Sequence, residues 1–537
     1  MESTKTPSIG LGALLAGLLA LPWMALSFLG NQLLGLPFPP FVLFDWIGRT
    51  LPGDLITFGI DSIVAVVNGL GIGQLSETAK NVERSIALLI FLGILTVVGT
   101  WIAYRAKKRA RVSNDAALGW TLGLSVVMLL INASLGFKQV GFLPSALWYL
   151  ILFAAWSFTL IWLFRLAPAA LAEQPEASMS RREFIYLLGG GVVTIGVGSL
   201  AVSRLIESTG GGVTVPGETP NLTDLDLTSG QAASPSTEEL RGRLEPAPGT
   251  RPEITETENF YNVDINTLPP SVDGETWRLK FDGLVRNPAE FTLDDLRSRP
   301  SVSQVITLSC ISNPIGGGLI STAVWTGVPF RDLLQEVGLE DSVAEIRMEA
   351  EDGFYESVSV EDAMDPRTLL VYEMNGEPLP QEHGYPLRIY IPDRYGMKQP
   401  KWIVHMEAID RQGDGYWVDR GWSEEAYVRT TSVVDSAATG SSDGGSVPIG
   451  GIAYAGAKGI SKVEVQIDDG PWQETELRVP PLSPLSWVQW RYDYPAEAGR
   501  HTAHVRAYDA SGELQLEESH GARPDGATGI HELTFNV

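Results

Sequence analysis

Apolar residues form long uninterrupted stretches in the first 206 residues and short alternating runs after residue 256. A helix needs about 20 consecutive apolar residues to cross a bilayer. Five stretches reach that length, and they lie at 8–29, 84–104, 117–136, 143–165 and 184–205. The pattern therefore predicts an α-helical transmembrane domain over residues 1–206 with about five spans.

A sixth apolar stretch, at 52–72, is interrupted by Asp54 and Asp61. Two carboxylates are costly inside a bilayer. The stretch therefore fits an amphipathic segment in the membrane interface better than a span.

Basic residues between the spans predict the orientation of the chain. The cluster at 105–111 and the pair at 181–182 belong in the cytoplasm, and so does Lys5. These positions agree if 8–29 and 84–104 cross the membrane and 52–72 does not. The chain is then expected to leave the membrane on the extracytoplasmic side after residue 205.

The last span begins with the sequence SRREFI at 180–185, ahead of a weakly apolar, glycine-rich run. This arrangement resembles a twin-arginine export signal placed inside the chain, with an ordinary basic flank as the alternative. The twin-arginine route exports proteins already folded around a cofactor. The motif therefore favours cofactor insertion in the cytoplasm and an extracytoplasmic final location.

Three further segments follow the membrane half. Residues 207–255 are rich in Gly, Ser, Thr, Pro and Glu, which predicts a flexible linker. From 256 to 436 short strand-like runs alternate with brief helices, which predicts an α+β domain dominated by sheet. From 445 to 537 the pattern is almost purely strand and turn, which predicts an all-β immunoglobulin-like sandwich. The expected fold class is therefore multi-domain.

Local patterns place several elements in the soluble half. Trp277, Leu279 and Phe281 alternate on one face of a predicted strand. Thr292 is a helix N-cap and Gly338 a helix C-cap in the predicted pattern.

Charge and composition narrow the function. Residues 1–206 carry a net charge of +4 and the remainder −29, which argues against nucleic acid as a partner.

The only cysteine is Cys310, so no intramolecular disulfide and no cysteine-rich metal site can form. The first histidine is His383, so the membrane half cannot hold haem between histidine pairs. We expect that half to serve as an anchor or as a docking surface for a separate redox partner.

The segment around Cys310 carries the chemistry. A short strand-like run ends at this cysteine, and a loop with Pro314 and glycines 316–318 follows. Consecutive glycines let the backbone approach a bulky group closely. A thiolate at the end of a strand beside such a loop suits a soft metal ligand or a nucleophile. A structural, buried cysteine is the alternative for a cysteine taken alone.

This part of the sequence resembles the sulfite oxidase family. The Cys310-x-x-Asn313 stretch, the Trp325-x-Gly327-Val328 stretch and the helix that follows are similar to the molybdopterin-binding core of that family. Two more blocks agree, the segment ENFYNVD at 258–264 and the segment HGYPLRIYIPDRYGMKQPKWI at 383–403. The C-terminal sandwich resembles the dimerisation domain of the same family. The resemblance covers about residues 256–537.

The resemblance implies a molybdenum-molybdopterin cofactor, with Cys310 as the thiolate ligand of the metal. Arg388, Lys398 and Lys401 would clamp the phosphate of the pterin, and His383 would hydrogen-bond the pterin side. The remaining implied cofactor-binding residues are Asn259, Phe260, Tyr261, Asn262, Asn313 and Gln399.

The implied reaction is oxygen-atom transfer on a small substrate. Sulfite and nitrate enzymes of the family have arginine directly after the asparagine of the Cys-x-x-Asn stretch, where it serves an oxyanion. Here that position is Pro314, which weakens the expectation of an oxyanion substrate. Arg420 is a candidate catalytic residue that would supply the missing charge, and an ordinary exposed arginine is the alternative.

Three functions stay open at this point. One is oxygen-atom transfer on sulfite or another small extracytoplasmic substrate, the second is reduction of sulfoxide-type groups, and the third is a metal-free scaffold of the same fold. The expected partners are a small-molecule substrate, the cell membrane, a cytochrome or quinone-linked electron-transfer partner and a second copy of the chain.

Overall fold

The computed structural model describes residues 8–53, 55, 58–59, 62, 75–109, 113–136, 140–171, 244–439, 445–495 and 497–537. The chain forms two compact units. The first contains most of the described residues up to 171 together with Ile265–Leu268, and the second contains the described soluble half.

The membrane unit is built from helices. They are α1 (Ile9–Leu34), α2 (Pro39–Thr50), α3 (Leu75–Arg109), α4 (Asn114–Ser134) and α5 (Phe142–Leu171). Among the described residues, α1, α3, α4 and α5 are long and apolar enough to cross a membrane. Four predicted spans are thereby matched by helices. The fifth, at 184–205, and the twin-arginine-like motif lie outside the described residues, as does most of 52–72.

Small residues bring α1 and α3 into close contact. A Cβ on Gly12 would lie 2.3 Å from the Cβ of Ala103, and one on Gly99 would lie 2.1 Å from the Cβ of Ala16. These two contacts pair an early residue of one helix with a late residue of the other, so α1 and α3 run antiparallel. Small residues at such a seam let the backbones approach, which is a common basis of helix association in membranes.

Helix α2 was not expected from the hydropathy pattern. It begins with Pro39 and Pro40, which suit the first turn because their missing N–H groups have no intrahelical acceptor there. Its 12 residues are too few to span a bilayer, so a search for long apolar stretches passes over it.

Polar side chains of this unit hold the short segment Ile265–Leu268. The carboxylate of Asp45 accepts hydrogen bonds from the backbone N–H and the hydroxyl of Thr267, at 2.9 and 2.6 Å. Lys80 Nζ donates to the carbonyl of Asn266 at 2.6 Å, and Arg49 donates to the side-chain oxygen of Asn266 at 2.5 Å. This segment therefore belongs to the same compact unit as α2 and α3.

The soluble unit begins with an α+β domain that holds two five-stranded sheets. One sheet has the order β2-β1-β10-β5-β6, and the other has the order β3-β4-β7-β8 with β9 paired to β7. The strands are β1 (Leu279–Gly283), β2 (Ala289–Phe291), β3 (Val302–Ser309), β4 (Ile320–Pro329), β5 (Glu345–Ala350), β6 (Tyr355–Ser359), β7 (Leu369–Met374), β8 (Glu377–Pro378), β9 (Arg388–Tyr390) and β10 (Ile403–Ile409).

Three short helices, α6 (Leu293–Arg297), α7 (Phe330–Val337) and α8 (Val360–Met364), complete this domain. The predicted caps are confirmed, since the Thr292 side chain accepts the N–H of Asp295 and Gly338 adopts a left-handed φ of 66°. Trp277, Leu279 and Phe281 are buried in one core, as the alternation in β1 predicts.

The C-terminal domain consists of two four-stranded antiparallel sheets, β11-β12-β16-β15 and β14-β13-β17-β18. Apolar residues from both sheets form one hydrophobic core, so the sheets pack as a sandwich. The finer immunoglobulin-like assignment stays a prediction. The strands are β11 (Thr431–Ala437), β12 (Ser446–Tyr454), β13 (Ile460–Ile467), β14 (Gln473–Glu474), β15 (Glu476–Leu477), β16 (Val488–Pro495), β17 (Arg500–Asp509) and β18 (His531–Asn536).

Two predicted boundaries need correction. The expected domain ends of 436 and 445 cut through this sandwich, because β11 pairs with β12 from Thr431 onward. The expected linker of 207–255 is also too long. Its last part is ordered, since Arg251 forms a 2.8 Å ion pair with Asp435 and its carbonyl accepts a 2.6 Å hydrogen bond from Gln489. Composition missed the order of this last part because its partners, Asp435 and Gln489, lie far away in the chain.

Candidate active site

Cys310 directly follows β3, and its half-buried thiol lies 3.1 Å from the hydroxyl of Ser312. The backbone N–H of Cys310 donates to Leu319 at 2.9 Å, and the N–H of Asn313 donates to the Cys310 carbonyl at 3.1 Å. Burial raises the pKa of the thiol, and the hydrogen bond with Ser312 opposes this. A soft metal that takes the thiolate displaces the proton, so the position suits a metal ligand better than a free nucleophile.

The loop after Cys310 folds back on itself. The side-chain oxygen of Asn313 accepts the N–H of Leu319 at 2.8 Å, which makes Asn313 a brace of the loop. Gly316 adopts a φ of 76°, and a Cβ there would lie 2.2 Å from the ring of His531. His531 comes from β18, so the C-terminal sandwich helps to fix the loop beside the cysteine.

Aromatic residues surround this position. Burial raises the pKa of Tyr395 to about 12, and the charge of Cys310 contributes to the shift. Burial likewise raises the pKa of Tyr261, with a further contribution from Cys310. Both hydroxyls are therefore neutral and lie close enough to the cysteine to sense its charge. Phe260 stacks on Tyr261 with ring centroids 5.4 Å apart.

Arg388 is a buried cation beside these rings. Its side chain stacks on Trp325 at 4.9 Å and donates one hydrogen bond, 3.1 Å long, to the carbonyl of His383. It forms no ion pair with any carboxylate in the described part of the chain, and burial lowers its pKa to about 10. A buried charge without a counter-ion is costly. The charge of Asp264 favours the charged form of Arg388 without forming an ion pair with it, so an anion bound beside the guanidinium would stabilise it further.

His383 lies on the same side of the pocket. Burial, with the charges of Lys401 and Arg388, lowers its pKa to about 3. The imidazole is therefore neutral, and its Nε2 lies 3.3 Å from the carbonyl of Thr257. Its ring meets Phe260 edge-on at 5.4 Å. A neutral imidazole among rings suits contact with an uncharged heterocycle.

Lys401 has partners for all three of its N–H groups. Its Nζ donates to Asn262 Oδ1 and to the carbonyl of Glu382, each at 2.8 Å, and it forms an ion pair with Asp264. It therefore holds the 259–264 segment in place. Direct donation to a phosphate would require one of these bonds to open.

Lys398 is paired as well. Its buried Nζ lies 2.6 Å from Oε1 of Glu356, a carboxylate that is 1% exposed. Neighbouring Gln399 donates to the carbonyls of Ile391 and Arg394, at 3.3 and 2.8 Å. Both residues thus brace the turn at Gly396–Lys398, and their predicted contacts with a cofactor stay predictions.

Two further predicted site residues, Asn259 and Arg420, make contacts with residues close to them in the chain. Asn259 is exposed, and its side chain donates to Glu256 at 2.8 Å. The guanidinium of Arg420 stacks on Tyr416 at 3.7 Å and donates to the Tyr416 carbonyl at 2.7 Å. The substrate-side role of Arg420 stays a prediction.

The carboxylate partners of the lysines were missed by sequence reasoning. Asp264 stands 137 residues from Lys401, and Glu356 stands 42 residues from Lys398. Asp264 falls within the ENFYNVD stretch and could have been noticed there. Glu356 carries no local signal, since it looks like any polar residue of a strand.

Comparison with known proteins indicates which cofactor the residues around Cys310 would bind. Residues 266–417 match the family model of the oxidoreductase molybdopterin binding domain. The chain is 30% identical over 340 residues to the mitochondrial sulfite oxidase of Mus musculus, covering 54% of this chain and 61% of that protein. Residues 266–417 therefore match a molybdopterin-binding domain, and the chain is similar to sulfite oxidases.

Two other proteins are similar to parts of this chain. A candidate protein-methionine-sulfoxide reductase subunit, YedZ1 of Azospira oryzae, is 32% identical over 152 residues, covering 28% of this chain and 56% of that protein. The structure of the sulfane dehydrogenase SoxCD from Paracoccus pantotrophus covers 60% of this chain and 97% of its own at 19% identity, with a TM-score of 0.48. The chain spans about three fifths of the length of the sulfite oxidases and of YedZ1.

The cofactor that goes with a molybdopterin-binding domain of this kind is molybdenum-molybdopterin, and the residues present fit it. Cys310 offers a thiolate to the metal, Arg388 lacks an anion, and His383 and the aromatic rings offer neutral surfaces. In the described part of the chain no group of three or more His, Cys, Asp or Glu side chains could hold a metal. A metal at Cys310 would thus need ligands from the cofactor, as a dithiolene supplies them.

Proposed function

We propose that the protein is a membrane-anchored oxidoreductase that transfers an oxygen atom to or from a small extracytoplasmic substrate. The observation that carries this proposal is the buried cation of Arg388, which shares a neighbour with the Cys310 thiol, since both groups act on the pKa of the buried Tyr261. An anionic, sulfur-ligated metal cofactor satisfies both groups at once. When bound, it supplies two-electron redox chemistry at the metal.

The chain's own residues then have distinct tasks. Cys310 donates charge to the metal and tunes its potential. Arg388 neutralises the anionic cofactor, and His383 contacts the pterin as a neutral imidazole. Lys401, with Asn262 and Asp264, keeps the 259–264 segment against the pocket. Tyr395 and Tyr261 exclude water from the Cys310 side.

The direction of the reaction has two candidates. Similarity to sulfite oxidases favours oxidation of sulfite or a related small substrate. Pro314 in place of arginine, together with the similarity to YedZ1, favours reduction of a sulfoxide. Arg420 is the residue we propose to serve an anionic substrate in the first case.

The location proposed is the cell membrane, with the catalytic domain outside. Helix α3 ends in Lys107, Lys108 and Arg109, which belong in the cytoplasm. Lys80 lies at the opposite end of α3, where it binds Asn266. The chain at residue 266 is therefore expected outside, in agreement with a fifth span at 184–205 and export by the twin-arginine route.

The proposed partners follow from this location. Electrons would be exchanged with a separate cytochrome or quinone-linked protein, since the membrane half has no histidine. We also propose that the C-terminal sandwich is immunoglobulin-like and that it mediates homodimer formation. Its two-sheet core supports the first of these proposals.

Metal analysis and paired assays test the function. Protein purified from a host that makes the cofactor should contain about one molybdenum per chain, and Cys310→Ser should lose turnover while keeping its fold. Sulfite-dependent reduction of an acceptor dye and sulfoxide-dependent oxidation of a donor dye separate the two directions. Protein without molybdenum, or full activity in Cys310→Ser, would leave the metal-free scaffold as the better account.

A further inference from the structure

Glu356 carries a buried carboxylate that accepts hydrogen bonds through one of its two oxygens. It is 1% exposed, and its Oε1 accepts from Lys398 Nζ at 2.6 Å and from the N–H of Ser357 at 2.9 Å. Its Oε2 has no hydrogen-bond partner in the described part of the chain. A buried ionised oxygen without a donor costs free energy, so the neutral, protonated form is unusually accessible here.

The loop at 413–416 closes over this carboxylate. A Cβ on Gly415 would lie 2.5 Å from Oε1 and 2.8 Å from Oε2 of Glu356. The backbone of Gly415 therefore lies directly against the acid. Next to it, the hydroxyl of Ser357 donates to the carbonyl of Asp414 at 3.0 Å. A side chain at position 415 would therefore displace the Glu356 carboxylate, and the backbone of this loop forms the cover over the acid.

Lys398 connects Glu356 to the cofactor pocket. It belongs to the short turn Gly396–Lys398. A Cβ on Gly396 would lie 3.0 Å from the hydroxyl of Tyr261 and 3.6 Å from the carbonyl of Ser309. Ser309 directly precedes Cys310, so the turn that carries Lys398 packs beside the metal ligand's strand end.

Other charges around Glu356 are accounted for. Lys398 faces it from the turn, and Glu345 acts on it from β5. Asp414, on the covering loop, is bound to Arg347 at 2.6 Å, and Asp362, on α8, is bound to Arg394 at 2.9 Å. Burial raises the pKa of Glu356 to about 7, with Lys398 opposing and Glu345 adding to the shift. Glu356 is thus the acid of this region whose proton can come and go near neutral pH.

We propose that Glu356 takes up a proton from solvent when the metal centre gains electrons and returns it when the centre is reoxidised. The proposal rests on the proposed function. Each added electron brings a negative charge to the pocket, and Lys398 is drawn toward it. The carboxylate of Glu356 then loses part of its counter-charge and binds one proton to become a neutral acid. The electrons come from an external donor and the proton comes from solvent, and both leave again when the centre is reoxidised.

The test measures protons rather than turnover. Molybdenum-loaded full-length protein in detergent is reduced with dithionite in weak buffer near pH 7, and a pH indicator records the proton uptake. The isosteric variant Glu356→Gln keeps an oxygen for Lys398 and cannot titrate. An acid with a pKa of about 7 is already about half protonated near pH 7, so we expect the uptake to fall by up to about half a proton per chain. We also expect the midpoint potential to lose most of its pH dependence between pH 7 and 8.

A matched control separates this effect from the loss of any buried acid. Glu253 also has a pKa raised by burial and is paired with an arginine, Arg478, at 3.1 Å. It lies on the ordered segment that contacts the C-terminal sandwich. Glu253→Gln should leave proton uptake and the slope of the potential unchanged.

A measurement on the unaltered protein covers the case in which Glu356→Gln does not fold. A reduced-minus-oxidised infrared difference spectrum should show a protonated carboxyl band on reduction, shifted in deuterated water. Absence of that band overturns the proposal, and so does unchanged proton uptake in a molybdenum-loaded Glu356→Gln protein. A protein that holds no molybdenum shows no redox signal at all and overturns the proposed function together with this inference.

Discussion

Two arginines of the soluble unit, the half-buried Arg394 and the buried Arg388, satisfy their charge in different ways. Arg394 donates to both oxygens of Asp362, at 2.9 and 3.1 Å, and stacks on Tyr427 at 3.7 Å. Arg388 stacks on Trp325 and has no carboxylate partner in the described part of the chain. The first arginine is paired within the protein itself, whereas we propose that the second is paired with the cofactor.

This difference predicts opposite effects on stability when each of the two arginines is replaced by methionine. Arg388→Met should leave the thermal midpoint of the cofactor-free protein unchanged or raised, because it removes an uncompensated buried charge. It should also cause loss of molybdenum and pterin during gel filtration. Arg394→Met should lower the midpoint with or without cofactor, by about 1–3 kcal/mol in stability, because Asp362 loses its partner. Equal destabilisation of cofactor-free protein by both variants would contradict the assignment.

Among the elements, α1 and α3 depend on small residues at their contact. Gly99 meets Ala16, whereas a Cβ on Gly93, further up the same helix α3, would have nothing within 4 Å. Both glycines look alike in the sequence, because each stands in a run of large apolar residues. Only the packing shows that one lies at a seam and the other does not.

Gly99→Leu and Gly93→Leu form a matched pair on one helix. Gly99→Leu should separate α1 from α3 and lower the thermal midpoint of the detergent-solubilised protein, since overpacking a tight contact costs roughly 1–3 kcal/mol. Gly93→Leu should change the midpoint little, because the added side chain has free space. A comparable loss in both variants would mean that helix propensity or insertion, rather than packing, sets the effect.

At the scale of the whole molecule, the charged residues predict on which side of the membrane each part of the chain lies. The basic end of α3 belongs in the cytoplasm, and the net charge of −29 beyond residue 206 belongs to the part expected outside. Because Cys310 is the only cysteine, single introduced thiols can report this arrangement in a Cys310→Ser background.

Labelling of intact cells with a membrane-impermeant maleimide tests the sidedness. Glu275→Cys, at an exposed position of the α+β domain, should react without lysis. Lys108→Cys, at the exposed end of α3, should react only after lysis. Labelling of position 108 in intact cells, with position 275 protected, would reverse the topology and place the catalytic domain in the cytoplasm.

Periodicity and local turn chemistry determined much of this protein from the sequence alone. Four membrane helices, the caps at Thr292 and Gly338 and the alternation of β1 follow from residues close together in the chain. Such features depend on hydrogen bonds and burial within one element, so a single stretch of sequence carries the information. The cofactor, in contrast, was implied by the resemblance of the Cys310 block and the His383 block to the sulfite oxidase family.

The tertiary structure decided which charges are paired. Lys398 and Lys401 look like equivalent phosphate ligands beside Arg388 in the sequence, yet both have carboxylate partners and Arg388 has none among the described residues. The order at the end of the predicted linker was likewise hidden, because Arg251 contacts Asp435 and Gln489, which lie far away in the chain. The cost of burying a charge depends on what lies within a few ångströms of it, and chain order alone does not specify those neighbours.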